Sequence, residues 1–467
     1  MYKLSFQLYM GGIDLFGITS DELSQAEIKD IRKDVNARRN GVNREFFSFA
    51  TPNEAAYRET EDFNREHIRV FEQSPFSRDR RRIEWSNAFS RLAEKTQVWT
   101  CPYNEHVTSR LTHVLRVSSL AEDLAISLGV NPDLSRAIGM GHDLGHTSFG
   151  HMGEELLTRT LFKVNSDALA ALGVFRHNIQ GVHVVDRIAR RAGFPDYGLN
   201  LTRHVVHGIA SHDGEVDKGR ISPKRVENLD ADIERYIRGV IRASGKVRFE
   251  GDRNNPDAVD KHIKAVQSAV KKVVIAPATI EACIVFLADS LQYCPGDFDD
   301  MVRLGVVKRG DLPGYVKRRL GKCGSDMIHN LVNDLVLHSY GKESVGYSKE
   351  VAEILLRFKR EFLYPLYLRV NEMIKSGDSG GRMNLPSQAK IEGQMVFLFK
   401  KYLEALRDSD GHSDCSIVQH YFGEEHDMGE YFDRMWHVDD EYKPYQAVVD
   451  FIAGSTDDFF FREARLR

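Results

Sequence analysis

The chain is 467 residues long, 42% hydrophobic and 28% charged, which leaves room for two or three packed units at roughly 100 to 200 residues per domain and excludes a disordered or fibrous protein. Its 64 Lys and Arg against 68 Asp and Glu give a net charge of −4 and a pI near 6.5, which excludes a surface coated in cations for duplex nucleic acid. No stretch reaches the roughly 18 apolar residues of a membrane helix, and the opening MYKLSFQLYMGGIDLFG is a poor signal peptide, so a cytoplasmic protein without membrane contact is expected. Five widely spaced cysteines (Cys101, Cys283, Cys294, Cys323, Cys415) contain no C-x-x-C pair and so build neither a disulfide framework nor a thiolate zinc site.

Along the chain, residues 1–66 are polar and weakly periodic, with RKDVNARRNGVNRE in their middle, and read as an amino-terminal extension. From Leu111, the apolar positions Val114, Leu115, Ala121, Leu124, Ala125 and Leu128 recur at the helix period, and Gly129 with Pro132 supplies a stop. RFEGDRNNPD (248–257) reads as a loop. EACIVFLADSLQY, following Ile280, is apolar on nearly every face, which predicts a buried central helix with the acid Asp289 in its middle. Basic residues cluster over 306–322, SGDSGGRMN (376–384) reads as a second loop, and acids gather over 408–441. The expected fold is all-α: a helical core over 67–310 and a helical carboxy-terminal lobe over 311–467, packed on the core and engaged in oligomer contacts.

Chemistry concentrates in GMGHDLGHTSFGHMGEE, which holds His142, Asp143, His146, His151, Glu154 and Glu155. Imidazole and carboxylate donors without thiolate suit Mn, Fe, Co, Ni or Zn, with Mg admitted if waters complete the shell. Such an ion polarises a phosphoryl oxygen and generates hydroxide near neutral pH, which ester or anhydride hydrolysis requires. His113 follows Arg110 by three residues on the predicted helix, so the two share a face and set a cation beside the cluster. Asp289, on a buried helix, needs a metal or a cation as partner. His204, His207 and His212 in RHVVHGIASH are read as hydrogen-bonded or solvent-facing side chains rather than a second metal site. The glycines at 139, 141 and 145 lack dinucleotide-loop spacing, and Gly341-Lys342-Glu343 is not a Walker motif, so neither glycine-rich phosphate loop is expected there.

The order His113, His142-Asp143, Asp289 is the H…HD…D pattern of HD-domain metal-dependent phosphohydrolases. SRDRRRIEWSNAFSRLAEKTQVW, SRLTHVLRV, GHDLGHTSFGHMGEE, FRHNIQGVHVVDRI, GLNLT and LADSLQY, with IAGSTD near the carboxy terminus, resemble the dGTPase family of deoxynucleoside triphosphate triphosphohydrolases. The resemblance covers about residues 76 to 305 well and implies an HD-type helical core. It would make His113, His142, Asp143 and Asp289 ligands of a divalent ion, Mn or Mg ahead of Fe, Co, Ni or Zn. It would set His146, His151 and His177 around the phosphates, with His151 and Glu154 as an acid/base pair. It would make Arg110 and Tyr293 phosphate contacts, Gln97 and Val98 readers of the deoxyribose, and Asp297 a contact on the same sugar edge. Thr147-Ser148 stands where the family usually carries two prolines, and YCPGDFDD departs from its usual Asn-Thr-His run. The implied reaction is attack of water on the α-phosphorus of a dNTP, with dGTP the first candidate, releasing deoxynucleoside and triphosphate. The resemblance also implies a homo-oligomer, tetramer or hexamer, with single-stranded DNA or a nucleotide as effector. Two alternatives are another HD phosphohydrolase, acting on a nucleoside monophosphate, cyclic nucleotide or alarmone, and a regulatory protein whose basic 308–322 segment binds single strands.

Overall fold

The computed structural model describes residues 23–59, 73–98, 104–189, 198–214, 219–252, 255–376, 386–407, 415–422 and 438–465. Most of the acidic 408–441 stretch, most of the 376–384 loop and the first 22 residues lie outside them. The chain divides into two units, 1–45 and 46–467. In the first, α1 (Gln25–Arg39) opens on a capping box in which Ser24 and Glu27 satisfy each other's backbone donors.

Among the described residues of the second unit, the strands are one antiparallel pair of two residues each, β1 (Arg220–Ile221) and β2 (Val345–Gly346), and the regular structure is otherwise helical. The helices that build the site are α2 (Pro75–Glu84), α3 (Arg110–Leu128), α4 (Pro132–Gly141), α5 (Gly150–Val164), α6 (His177–His183), α7 (Arg203–Ala210), α8 (Ile280–Arg303) and α9 (Lys443–Gly454). Among the described residues, no helix is long and apolar enough to cross a membrane.

α3 begins where Ser109 caps Thr112 N and ends at Gly129, whose left-handed backbone turns the chain as predicted. Pro132 does more than stop that helix: it is the first residue of α4, where its missing N–H costs nothing, and Asn131 caps the donors behind it. α3 and α4 therefore form a tight hairpin, and α4 lies against α2, α3, α7 and α8 at the centre of the unit. α8 is buried along most of its length, as its apolar composition requires, and continues through Pro295. Its first turn is tied to the hairpin by the buried Glu281 carboxylate, which accepts from Thr51 N (3.0 Å), Thr51 Oγ1 (2.8 Å) and Asn131 N (3.1 Å). In the 306–322 segment Val307, Leu312, Val316 and Leu320 are buried while Lys308, Arg309, Arg318 and Lys322 face outward, so the basic residues form the outer face of an amphipathic turn.

On α7, His207 Nε2 sits 3.1 Å from Asp232 Oδ2, and His204 meets the rings of Tyr57 and Phe76 edge-on. Burial lowers both imidazoles to about 4, assisted by His207 acting on His204 and by Arg203 and Lys224 acting on His207. Because the folded values lie below the ordinary 6.5, both groups favour the fold above pH 6.5, and that contribution is lost as pH falls towards 4. His204→Phe, which keeps the ring contacts, is expected to recover about 1 kcal/mol of the stability lost between pH 7 and 5, read as a smaller drop in Tm. An unchanged drop would show that His204 titrates normally.

Candidate metal and phosphate centre

Four helices and one loop converge on a buried polar cluster. The first turn of α3 supplies Arg110 and His113, and the end of α4 runs into His142 and Asp143. α5 supplies His151 and Glu154, α6 begins at His177, and the middle of α8 supplies Asp289. The loop from His142 to Gly150 fits only because Gly145 has no side chain: a Cβ there would lie 2.0 Å from His177 O and 2.2 Å from Gly181 N. Phe149, at φ 65, takes a left-handed conformation costly for an aromatic residue. Asp457 supports it by accepting from Phe149 N at 3.0 Å.

Asp143 is the hub. Its Oδ2 accepts from Arg110 Nη1 at 2.6 Å, while Oδ1 lies 3.2 Å from His146 Nε2, 3.5 Å from His142 Nε2 and 4.0 Å from His212 Nε2. Against burial, which would raise it, His142, Arg110 and His146 hold this carboxyl well below its usual range. Asp289 Oδ1 stands 2.9 Å from His113 Nε2 and 3.9 Å from His142 Nε2, and these imidazoles hold Asp289 at about 2 against burial. A quarter of the Asp289 side chain remains exposed, so the acid closes the cluster on its open side.

A divalent ion fits this donor set. His142 Nδ1 lies 2.7 Å from Gly139 O, which assigns its proton to that nitrogen and leaves Nε2 a free lone pair. Among the described residues His142 Nε2 is buried without a hydrogen-bond partner, and His113 Nε2 is buried against the Asp289 carboxylate at 2.9 Å. Two buried imidazole nitrogens that converge on two buried carboxylates form a donor set that a cation satisfies. His113, His142 and Asp143 each offer a ligand atom within 4.8 Å of the others.

The remaining expected residues divide. Glu154 lies 3.1 Å from His177 Nδ1 and 3.1 Å from His146 Nδ1, and the two imidazoles stack at 3.8 Å. Against burial, Glu154 raises His177 to about 9, whereas burial, Arg110 and His177 lower His146 to about 3. One charged and one neutral ring therefore share a carboxylate. His151 is the exposed member, edge-on to His146 at 5.2 Å. Arg110 is fully buried and also donates to Thr96 O and Gln97 O. Gln97 Oε1 is buried and unpaired, and Val98 follows at the last described position before 104. Tyr293 is half-buried beneath Lys359 Nζ, 5.1 Å from its ring. Asp297 is buried, accepts from Tyr367 Oη at 2.5 Å, and is raised by burial to about 7.

Two residues escaped sequence reasoning. Lys95 is buried, and its Nζ donates to His146 O (2.5 Å) and Ala453 O (2.7 Å), tying the histidine loop to the end of α9. Burial, Arg91 and Arg110 push its ammonium well below the usual lysine range. A lone Lys beside a motif carries no sign of this. His212 is buried and hydrogen-bonded rather than solvent-facing, with Nδ1 at 2.7 Å from Ile209 O and Nε2 at 3.1 Å from His177 Nε2, which places it in the cluster. The signal was present, since His212-Asp213 repeats the dipeptide His142-Asp143.

Comparison with known proteins adds a lineage to this geometry. The HD domain family matches residues 110–294. A deoxyguanosinetriphosphate triphosphohydrolase-like protein of Caldanaerobacter subterraneus subsp. tengcongensis is 30% identical over 413 residues, covering 88% of this chain and 90% of that one. A protein of the same description from Desulfatibacillum aliphaticivorans is 32% identical over 311 residues, 65% of this chain and 70% of its own. Another, from Bartonella quintana, reaches 44% over 142 residues, 30% of this chain and 33% of its own.

Lys95→Met would leave His146 O and Ala453 O without their donor. It is expected to cost about 2 kcal/mol in chemical denaturation at neutral pH. Unchanged stability would show that water replaces the ammonium freely.

Proposed function

Since the chain belongs to the HD-domain family of deoxyguanosinetriphosphate triphosphohydrolase-like proteins and is thereby a phosphohydrolase, we propose that it hydrolyses a deoxynucleoside triphosphate, dGTP first among them, to deoxynucleoside and inorganic triphosphate. The observation that carries the reading is the convergence of two buried nitrogens, His113 Nε2 and His142 Nε2, on the carboxylates of Asp143 and Asp289. These four residues would hold a divalent ion, Mn or Mg, which when bound polarises a phosphoryl oxygen and lowers the pKa of water.

The chain's own residues supply position and charge. Water forms the new bond to the α-phosphorus, the bond to the sugar 5′-oxygen breaks, and that oxygen takes a proton. His151, the exposed imidazole at the edge of the cluster, is the donor in this reading, with Glu154 three residues on fixing the histidines around it. Arg110, locked on Asp143, adds a buried positive charge where phosphoryl oxygens gather, and His146 and His177 line the same side. Tyr293 would contact phosphate from α8. Gln97 Oε1 is an unpaired acceptor suited to a sugar 3′-hydroxyl, with Val98 and Asp297 on the same edge. We assign the protein a homo-oligomeric state, and its exposed basic residues Lys308, Arg309, Arg318 and Lys322 would be a landing face for single-stranded DNA.

The test is incubation of the purified protein with each dNTP and NTP, with Mn or Mg, with and without single-stranded DNA, and with products resolved by chromatography. Deoxynucleoside plus triphosphate is expected, with ribonucleotides spared and turnover reduced at least about 1,000-fold in Asp143→Ala. Gln97→Ala should raise KM about 10-fold with a smaller change in kcat. Monophosphate plus pyrophosphate, or no dNTP consumption under any condition, would overturn the reading.

A further inference from the structure

Asp457 opens α10 (Asp457–Arg465), a place where a carboxylate ordinarily serves the amino terminus of its own helix. Here Thr456 takes that duty, its Oγ1 accepting from Phe459 N at 3.2 Å. The Asp457 carboxylate is buried, and each of its oxygens goes to a different distant segment. Oδ1 accepts from Phe149 N at 3.0 Å, and Oδ2 accepts from Thr96 Oγ1. Phe460 and Phe461, further along α10, close over the joint with their rings 5.0 and 5.3 Å from that of Phe149.

The two segments so joined are two walls of the substrate site in the reading above. Thr96 is followed by Gln97 and Val98, the sugar-facing pair, and Phe149 is followed by Gly150, the first residue of α5, which carries His151 and Glu154. The walls touch at Gly150: a Cβ there would stand 3.1 Å from Gln97 O and 3.3 Å from Arg110 Nη2, and its φ of 56 suits glycine. Regular structure does little to hold either segment. Thr96 meets Ser109 in an isolated antiparallel bridge, and Phe149 lies in the turn before α5. Arg110 secures the carbonyls of Thr96 and Gln97 to α3, while Asp457 adds bonds to both walls at once. Its bond to Phe149 N also braces the left-handed turn from which α5 departs, and so the direction in which His151 is presented.

We propose that Asp457 is a positioning residue that holds the Gln97–Val98 segment and the start of α5 in one register, and thereby sets the preference for deoxyribose over ribose. The proposal rests on the dNTP reading above and deepens it, placing part of the sugar selectivity on a residue that touches no sugar. Without the carboxylate the two walls are free to part, which admits a 2′-hydroxyl and lets the α-phosphorus drift from His151, where a misplacement of about 1 Å costs about 100-fold in rate. An asparagine can keep both bonds: Oδ1 accepts from Phe149 N, and Nδ2 donates to Thr96 Oγ1, whose hydroxyl rotates to accept.

The experiment compares the wild-type full chain with Asp457→Ala, Asp457→Asn and Thr96→Val. Turnover of dGTP and GTP with Mn2+ gives kcat and KM, and calorimetry with the α-thio analogues of dGTP and GTP gives affinities that do not depend on turnover. In Asp457→Ala, kcat for dGTP is expected to fall about 100-fold, and the preference for deoxyribose to fall about 10-fold in both kcat/KM and affinity. Asp457→Asn should stay within about 3-fold of wild type on both measures, and Thr96→Val should lose preference with a smaller change in kcat. A folded Asp457→Ala that loses Tm yet keeps the wild-type preference would make the residue merely structural and overturn the proposal. An asparagine variant as impaired as alanine, or a wild type that binds both analogues alike, would overturn it too. If Asp457→Ala misfolds, Thr96→Val decides, and an unchanged preference there overturns the proposal. Preferential binding of α-thio dGTP that Asp457→Ala abolishes, without dNTP turnover by the wild type, would refute the triphosphohydrolase reading alone. Turnover by the wild type with the preference intact in Asp457→Ala would refute the positioning role alone.

Discussion

An ionised carboxylate removed from water costs several kcal/mol unless charge and hydrogen bonds surround it, and Asp143 is a buried carboxylate at the end of α4, where side chains from α3, α5, α6 and α8 converge. Much of the local architecture answers that requirement. Arg110 reaches it from α3, and His142 and His146 flank it from its own loop. Arg110 is itself buried, so it draws Thr96 O and Gln97 O to its remaining donors. That places the backbone of the Thr96–Gln97 segment beside the buried histidine cluster. One buried negative charge therefore orders residues spread over more than forty positions of sequence.

A second regularity is the use of main-chain carbonyls to choose the proton position of imidazoles. His142 and His212 are each held by the carbonyl three residues earlier, where a helix end leaves that oxygen without an amide partner. The helix terminus thus does two jobs with one atom: its orphan acceptor is satisfied, and the adjoining ring is presented with its inner nitrogen unprotonated. His146 and His177 take their orientation from Glu154 instead, which makes their charge states interdependent in a way that a carbonyl would not.

The all-α fold, the α3 and α8 helices and the H…HD…D order were legible because each rests on local information: periodicity, a capping glycine, or neighbouring residues with metal-binding chemistry. The end of α3 at Gly129 was readable, but the start of α4 at Pro132 was not, since a proline signals both an end and a beginning and only the capping Asn131 resolves it. Within the site, spacing paired Glu154 with His151, yet the carboxylate turns to His177 and His146. Residues three apart share a helix face, but which partner a carboxylate takes is settled by what packs opposite. Lys95 was unreadable for the same reason, since burial and contact between distant parts of the sequence leave no local trace. His212 did carry a weak one in the repeated His-Asp dipeptide.

The loop that carries His146 is finished by residues far along the chain. Ser148 Oγ donates to Ser455 O at a separation of 307 residues, Phe149 N to Asp457 at 308, Thr96 Oγ1 to the same aspartate, and Lys95 bridges His146 O to Ala453 O. Synthesis runs from the amino terminus. A nascent chain that has already released every residue from Arg110 to Asp289 has the ligands but not the frame around them. The centre is thus a late product of folding, completed only when the IAGSTD segment leaves the ribosome and docks. Until then, the chain carries its histidines and acids without the contacts that fix the His146 loop.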